Sequence, residues 1–208
     1  MSILAWVTNP DTSIISRILQ NDTDTWLAFN TNAGFRFQRD WGGGSGIWDV
    51  LTANLGVTLS ARNHFAVTYD GASTANNPTI YANKASKTVT RTLAPAGAIW
   101  TTSGVWTLGN DAAGALPLGG TMEYLAICNV VLTAQEVADH ADYGIVPRGC
   151  IGAWSLGGQS PEPDLSGNGR NGTVTGTSIV AGGDIFPDDL YVAGQPMASQ
   201  AAQRASRR

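Results

Sequence analysis

The chain has 208 residues, 43% of them hydrophobic, and a formal net charge of −4, enough apolar material for one sizeable core but not for two full domains. Only 13% of residues are charged, against about a quarter in an ordinary globular domain, so no general attraction to nucleic acid or an anionic membrane is expected. No apolar stretch approaches a transmembrane length, and two cysteines, Cys128 and Cys150, are too few for a disulfide framework or a cysteine-only metal site.

The opening "MSILAWVTNPD" has no basic leader, and its apolar run is broken at Asn9-Pro10. This predicts a mature chain made in the cytoplasm without a signal peptide, with both cysteines as buried thiols. Short apolar or alternating runs follow at roughly ten-residue spacing: "SIISRIL", "TWLAFNT", "GFRFQRD", "GIWDVL", "HFAVTYD", "PTIYAN", "TVTRTL", "GVWTLGN" and "GTMEYLAICN". Turn clusters such as "DGASTANNP" and "NDAAGALPLGG" separate them. The pattern predicts an all-β, antiparallel sandwich or barrel. One segment differs: in "LTAQEVADHADYG", Thr133 as N-cap, Glu136 completing a capping box and Gly144 after the last turn predict a short helix.

Next come "CIGAWSL", the loop "DLSGNGRNG" at 164–172 and "TVTGTSIV", which read as strand, tight loop, strand. Periodicity is lost after about residue 186. Residues 187–208 read as an extended basic arm ending in Arg204, Arg207 and Arg208. These three arginines supply +3 of the net −4, leaving −7 for the rest, so the arm is expected to dock on a partner.

"SILAWV", "RNHFAVTYDG" with "PTIYAN", and "WTLGNDAAGALPLGGTMEYLAICNVVLTAQEV" together resemble the laminin G-like, concanavalin A-like jelly-roll family, in particular its branch in bacterial surface and phage proteins. The resemblance spans most of residues 1–180 and implies a jelly-roll sandwich over residues 1–186. In that family the W-x-L and D-x-SGNG segment comes first, whereas here residues 150–180 carry it last. The strand around Trp154 therefore either closes its own sandwich or is given to a neighbouring copy whose sheet edge lacks it.

Catalysis is not expected. Glycoside hydrolysis needs two carboxylates facing one bond, and Glu123, Glu136 and Glu162 are the only glutamates, none in an alternating acidic pair. His64 and His140 lie on separate segments, and no nucleophile elbow is present. His64 reads as structural, and His140 as exposed on the helix. Calcium is the metal hypothesis: Asp164, Asn168 and Asn171 are the candidate ligands, with Asp70 or Glu123 more distant, because a tight Asp/Asn/Gly loop can present several oxygens. Against it, Asn-Gly loops turn without any ion, and Arg170 opposes a cation.

Seven tryptophans bear on sugar binding. Trp6, Trp26, Trp106 and Trp154 read as core. Trp41, Trp48 and Trp100 flank loops and are the candidate glycan contacts, the alternative being that they cap the core or meet another subunit.

The first functional expectation is a non-enzymatic virion protein of a tailed phage, such as a capsid decoration protein. It would bind the major capsid protein or copies of itself as a homo-oligomer or lattice component. The alternative is a carbohydrate-binding module or adhesin for cell-surface glycans.

Overall fold

The computed structural model describes residues 1–9, 13–21, 25–31, 34–100, 104–157 and 159–177. The arm at 187–208, with Arg204, Arg207 and Arg208, lies outside them. Strands run β1 Ser2–Thr8, β2 Ser16–Asn21, β3 Thr25–Asn30, β4 Gly34–Arg39, β5 Gly46–Val50, β6 Asn63–Thr68, β7 Thr79–Ala82, β8 Ala85–Lys87, β9 Thr90–Leu93, β10 Trp106–Leu108, β11 Thr121–Cys128 and β12 Cys150–Trp154. The helices are α1 Thr52–Leu55 and α2 Ala134–Tyr143. They form two six-stranded sheets, ordered β12-β11-β1-β6-β7-β8 and β10-β2-β3-β4-β5-β9. No helix among the described residues is long and apolar enough to cross a membrane.

Two compact units are distinguished, Ala5–Met122 and Met1–Leu4 with Glu123–Arg208. In the first, strict alternation in "GFRFQR" turns Phe35 and Phe37 to one side of β4 and Arg36 and Gln38 to the other. The phenylalanine side packs face to face against the strand β6. Phe35 stacks on Phe65 with ring centroids 4.8 Å apart, and Phe29 meets Phe65 edge-on at 5.3 Å. Trp48 and Phe37 close on Tyr69 at 5.0 and 5.7 Å. This is the inter-sheet core of a β-sandwich. Each such fully buried aromatic contributes about 1.5–3 kcal/mol. A Cβ on Gly46 would strike the Trp48 ring, so the glycine two residues earlier lets the indole lie along its own strand.

In the second unit, β11 and β12 pair antiparallel, with Leu125 opposite Trp154 and Cys128 opposite Cys150. The Trp154 strand thus pairs with β11 of its own chain. Directly opposed cysteines are joined as a disulfide, which corrects the expectation of two free thiols: the register, invisible in the sequence, brings together residues 22 positions apart.

Helix α2 starts as expected. Thr133 Oγ1 accepts from the Glu136 amide at 3.2 Å, and Glu136 Oε2 accepts from the Thr133 amide at 2.8 Å. Gly144 follows in the left-handed conformation, φ 66°. His140, expected exposed, is fully buried, its ring centroid 4.6 Å from that of Tyr124.

Candidate functional site

The side of β4 opposite its phenylalanines belongs to a polar sheet face. Antiparallel register lines up residues on that side across the strands. One row is Thr107, Gln20, Trp26, Gln38 and Ile47. The other is Arg17, Ala28, Arg36, Asp49 and Thr90. Arg17, Gln20, Trp26, Arg36 and Gln38 are all half-buried, whereas Ala28, at the centre of its row, is fully buried.

The charges on this face are ordered. Arg36 grips Asp49 with two bonds, Nε to Oδ1 at 2.7 Å and Nη2 to Oδ2 at 2.9 Å. The Thr92 hydroxyl donates to Asp49 Oδ2 at 2.5 Å. Gln38 Nε2 donates to Asp40 Oδ1 at 3.1 Å. Arg17 lies with its guanidinium carbon 3.5 Å from the Trp26 ring centroid, a cation–π contact. Burial lowers Arg17 to about 10, with Asp111 opposing and Arg36 adding to the shift, so it remains a cation at neutral pH. Asp49 has both its oxygens taken by Arg36 and Thr92.

The expected glycan tryptophans are mostly misplaced. Trp48 is fully buried in the core, its Nε1 donating to Asn77 Oδ1 at 2.9 Å, and Trp41 is 5% exposed. Neither offers a ring face to solvent, because "GIWDV" turns Trp48 inward and Trp41 is bridged to Ile99. Trp100, 54% exposed, does present ring surface. Of the tryptophans read as core, Trp154 is buried, but Trp6, Trp26 and Trp106 are half-buried. The sequence did carry a signal for Trp26: Leu27 and Phe29 point inward, so an adjacent Trp26 must face outward.

The candidate calcium loop binds its own strand. Asp164 Oδ1 accepts from the amides of Ala153 and Ser166 at 3.0 and 2.9 Å, and Oδ2 from the Ser166 hydroxyl and Arg170 amide at 2.9 and 3.0 Å. Burial raises the Asp164 carboxyl, but these bonds outweigh it and hold it below the usual carboxylate range. Asn168 Nδ2 donates to Cys150 O at 2.9 Å, Arg170 Nη1 to Ile151 O at 2.8 Å, and the Leu165 amide to Ala153 O at 2.7 Å. Asn171 Oδ1 accepts from the Asp164 amide at 3.0 Å.

β12 ends its sheet, so the loop satisfies backbone groups of an edge strand. The three expected ligands do come together, but with their polar groups turned to peptide partners. Glu162 is buried and likewise takes amides, from Gly157 at 3.0 Å and Gln159 at 3.2 Å. Asp70 accepts from the Ala72 amide within its own turn, and Glu123 is half-buried on β11. Among the described residues, no group of three His, Cys, Asp or Glu is placed to hold a metal ion.

A two-sheet antiparallel sandwich with a polar, half-buried sheet face is the architecture of a jelly-roll lectin fold. The chain belongs to the concanavalin A-like lectin/glucanases superfamily, whose family model matches residues 1–138. Comparison with curated proteins found no match. Among solved structures, the chain is similar to a provisionally assigned carbohydrate binding protein of Bacteroides ovatus, with 14% identity and a TM-score of 0.59. That match covers 86% of this chain and 54% of the other, so the chain spans about half the length of that relative. It is also similar to the CBM40 of the Ruminococcus gnavus IT-sialidase, bound to α2,3 sialyllactose, with 19% identity and a TM-score of 0.51 over 66% of this chain and 79% of the other. At these identities the likeness establishes the fold.

Proposed function

We propose that this protein is a non-catalytic carbohydrate-binding domain that takes a saccharide on the solvent side of the β10-β2-β3-β4-β5-β9 sheet. The observation that carries the reading is the pair of in-register rows, in which amide, guanidinium and indole side chains are half-buried together on one sheet face. A sugar ring asks for that combination: directional polar partners around an apolar patch. The Ruminococcus gnavus module of similar fold is bound to a sialylated sugar, which supports a glycan ligand for this fold.

The Cys128–Cys150 disulfide supports work in an oxidising compartment. The basic arm on which the virion reading draws, with Arg204, Arg207 and Arg208, lies outside the described residues.

The test is a glycan array probed with the wild type, Trp26→Ala, Gln38→Ala and Trp100→Ala. Saccharide retention that falls about tenfold or more in the first two variants and survives in the third is expected, from the loss of a polar contact at Gln38 or of the indole that packs under Arg17. No retained saccharide, or loss confined to Trp100→Ala, would contradict the assignment.

A further inference from the structure

The two arginines on the sheet face differ in one respect. Arg36 has its carboxylate, Asp49, in a two-bond fork. Arg17, across Ala28 in the same row, has none among the described residues. Its Nε and Nη1 are buried from water and meet no hydrogen-bond acceptor among the described residues. Asp111 is the carboxylate whose charge reaches Arg17, and its Oδ1 is committed to the amides of Ala115 and Leu116 at 2.6 and 3.2 Å. A buried cationic donor without an acceptor is costly and rare in native structures. It is also well positioned, because stacking on Trp26 at 3.5 Å holds the guanidinium plane while leaving its in-plane N–H groups as the unused functionality.

We infer that the sheet face prefers acidic saccharides, with Arg17 as the group that meets the ligand's carboxylate. This inference rests on the saccharide-binding reading above. A planar carboxylate supplies two acceptor oxygens at the spacing of the guanidinium fork, which a neutral hydroxyl does not. Gln20 and Gln38, flanking Trp26 in the adjoining row, are placed along the same face to engage uncharged hydroxyls of the same ligand. Arg36 cannot take the carboxylate role without releasing Asp49. The chain's net charge of −4 repels anions generally, so the preference is local to this face.

The experiment measures calorimetric affinities of the full chain for hexamers of galacturonate, mannuronate and hyaluronan, each beside its carboxyl-reduced neutral form, with a sulfated maltohexaose, which carries no carboxylate, as the sulfated arm. The wild type is expected to bind at least one acidic hexamer about tenfold or more tightly than its reduced partner, the worth of one charge-assisted bond. Arg17→Gln is expected to bind both forms equally, at the neutral form's affinity. Arg17→Lys keeps the charge without the fork and should retain only part of the preference. A melting curve for each variant separates lost binding from lost folding.

Equal wild-type affinity for acidic and reduced forms, or a preference that survives in Arg17→Gln, overturns the inference and leaves the sheet-face reading standing. Binding of the sulfated maltohexaose as tight as the best uronate assigns the anion to sulfate and overturns the carboxylate assignment. Binding of none of the hexamers, acidic or neutral, overturns the inference together with the reading beneath it.

Discussion

Arg17 covers Trp26: the guanidinium carbon stands 3.5 Å from the indole centroid, so the side chain predicted to be core is roofed by a cation on the outer face of the sheet. A contact of this kind contributes about 1 kcal/mol when partly desolvated. A double-mutant cycle of Arg17→Gln and Trp26→Leu, read by urea denaturation, is expected to give a coupling of that size. Additive single effects would show that the pair does not interact in solution.

The loop from Asp164 to Asn171 stabilises the chain through Asp164. Its folded carboxyl is held below the usual range, so the contribution is complete above the unfolded carboxylate value and is lost as pH falls through the folded one. Asp164→Asn is expected to cost about 1–3 kcal/mol at pH 7, with the gap to wild type closing in strong acid. Because the four bonds to this carboxylate come from peptide and hydroxyl donors, a chelator should leave the melting temperature unchanged. A fall on chelation would reinstate a calcium site there.

His64 acts in the same direction through the opposite charge. Burial, with Arg62 nearby, pushes it down to about 3, so it stays neutral in the fold while the unfolded chain protonates near 6.5. Between those values the unfolded state binds the extra proton, and stability is lost as pH drops from 6.5 towards 3. His64→Gln should be less stable than wild type at pH 7, yet show a flatter decline across that window. Parallel stability–pH curves would contradict this.

Oxidised and reduced protein should differ. With Cys128 bonded to Cys150, thiol titration of the unfolded, unreduced chain should find no free sulfhydryl from either residue. Cys128→Ser with Cys150→Ser is expected to lose about 3 kcal/mol. Two titratable thiols would return the pair to the reduced state that composition suggested.

What the sequence made legible follows from how local each feature is. The helix cap at Thr133 and Glu136 involves residues three apart, and alternation in "GFRFQR" sorts Phe35 and Phe37 from Arg36 and Gln38 directly. Arg17 escaped the same treatment because β2 is irregular: the register shifts between Arg17 and Leu19. That shift puts Arg17 and Gln20, three positions apart, on one side, where a period of two separates them. Trp26 is masked by its apolar neighbours, and Trp48, which flanks the GGGSG loop, stands on the interior strand β5 with its ring turned into the core. The Asp164 loop was visible as a loop, but its purpose depended on β12 being an edge, which is a property of strand order.

The polar sheet face is the proposed saccharide site. The most direct measurement is the ¹⁵N spectrum of the full chain, following the indole and guanidinium side-chain resonances while the best saccharide from the glycan array is added. Shifts at Trp26 Nε1 and Arg17 Nε are expected to saturate together, with Trp48 Nε1 and Trp100 Nε1 unmoved. Saturable shifts centred on Trp100 with Trp26 and Arg17 unchanged would contradict it.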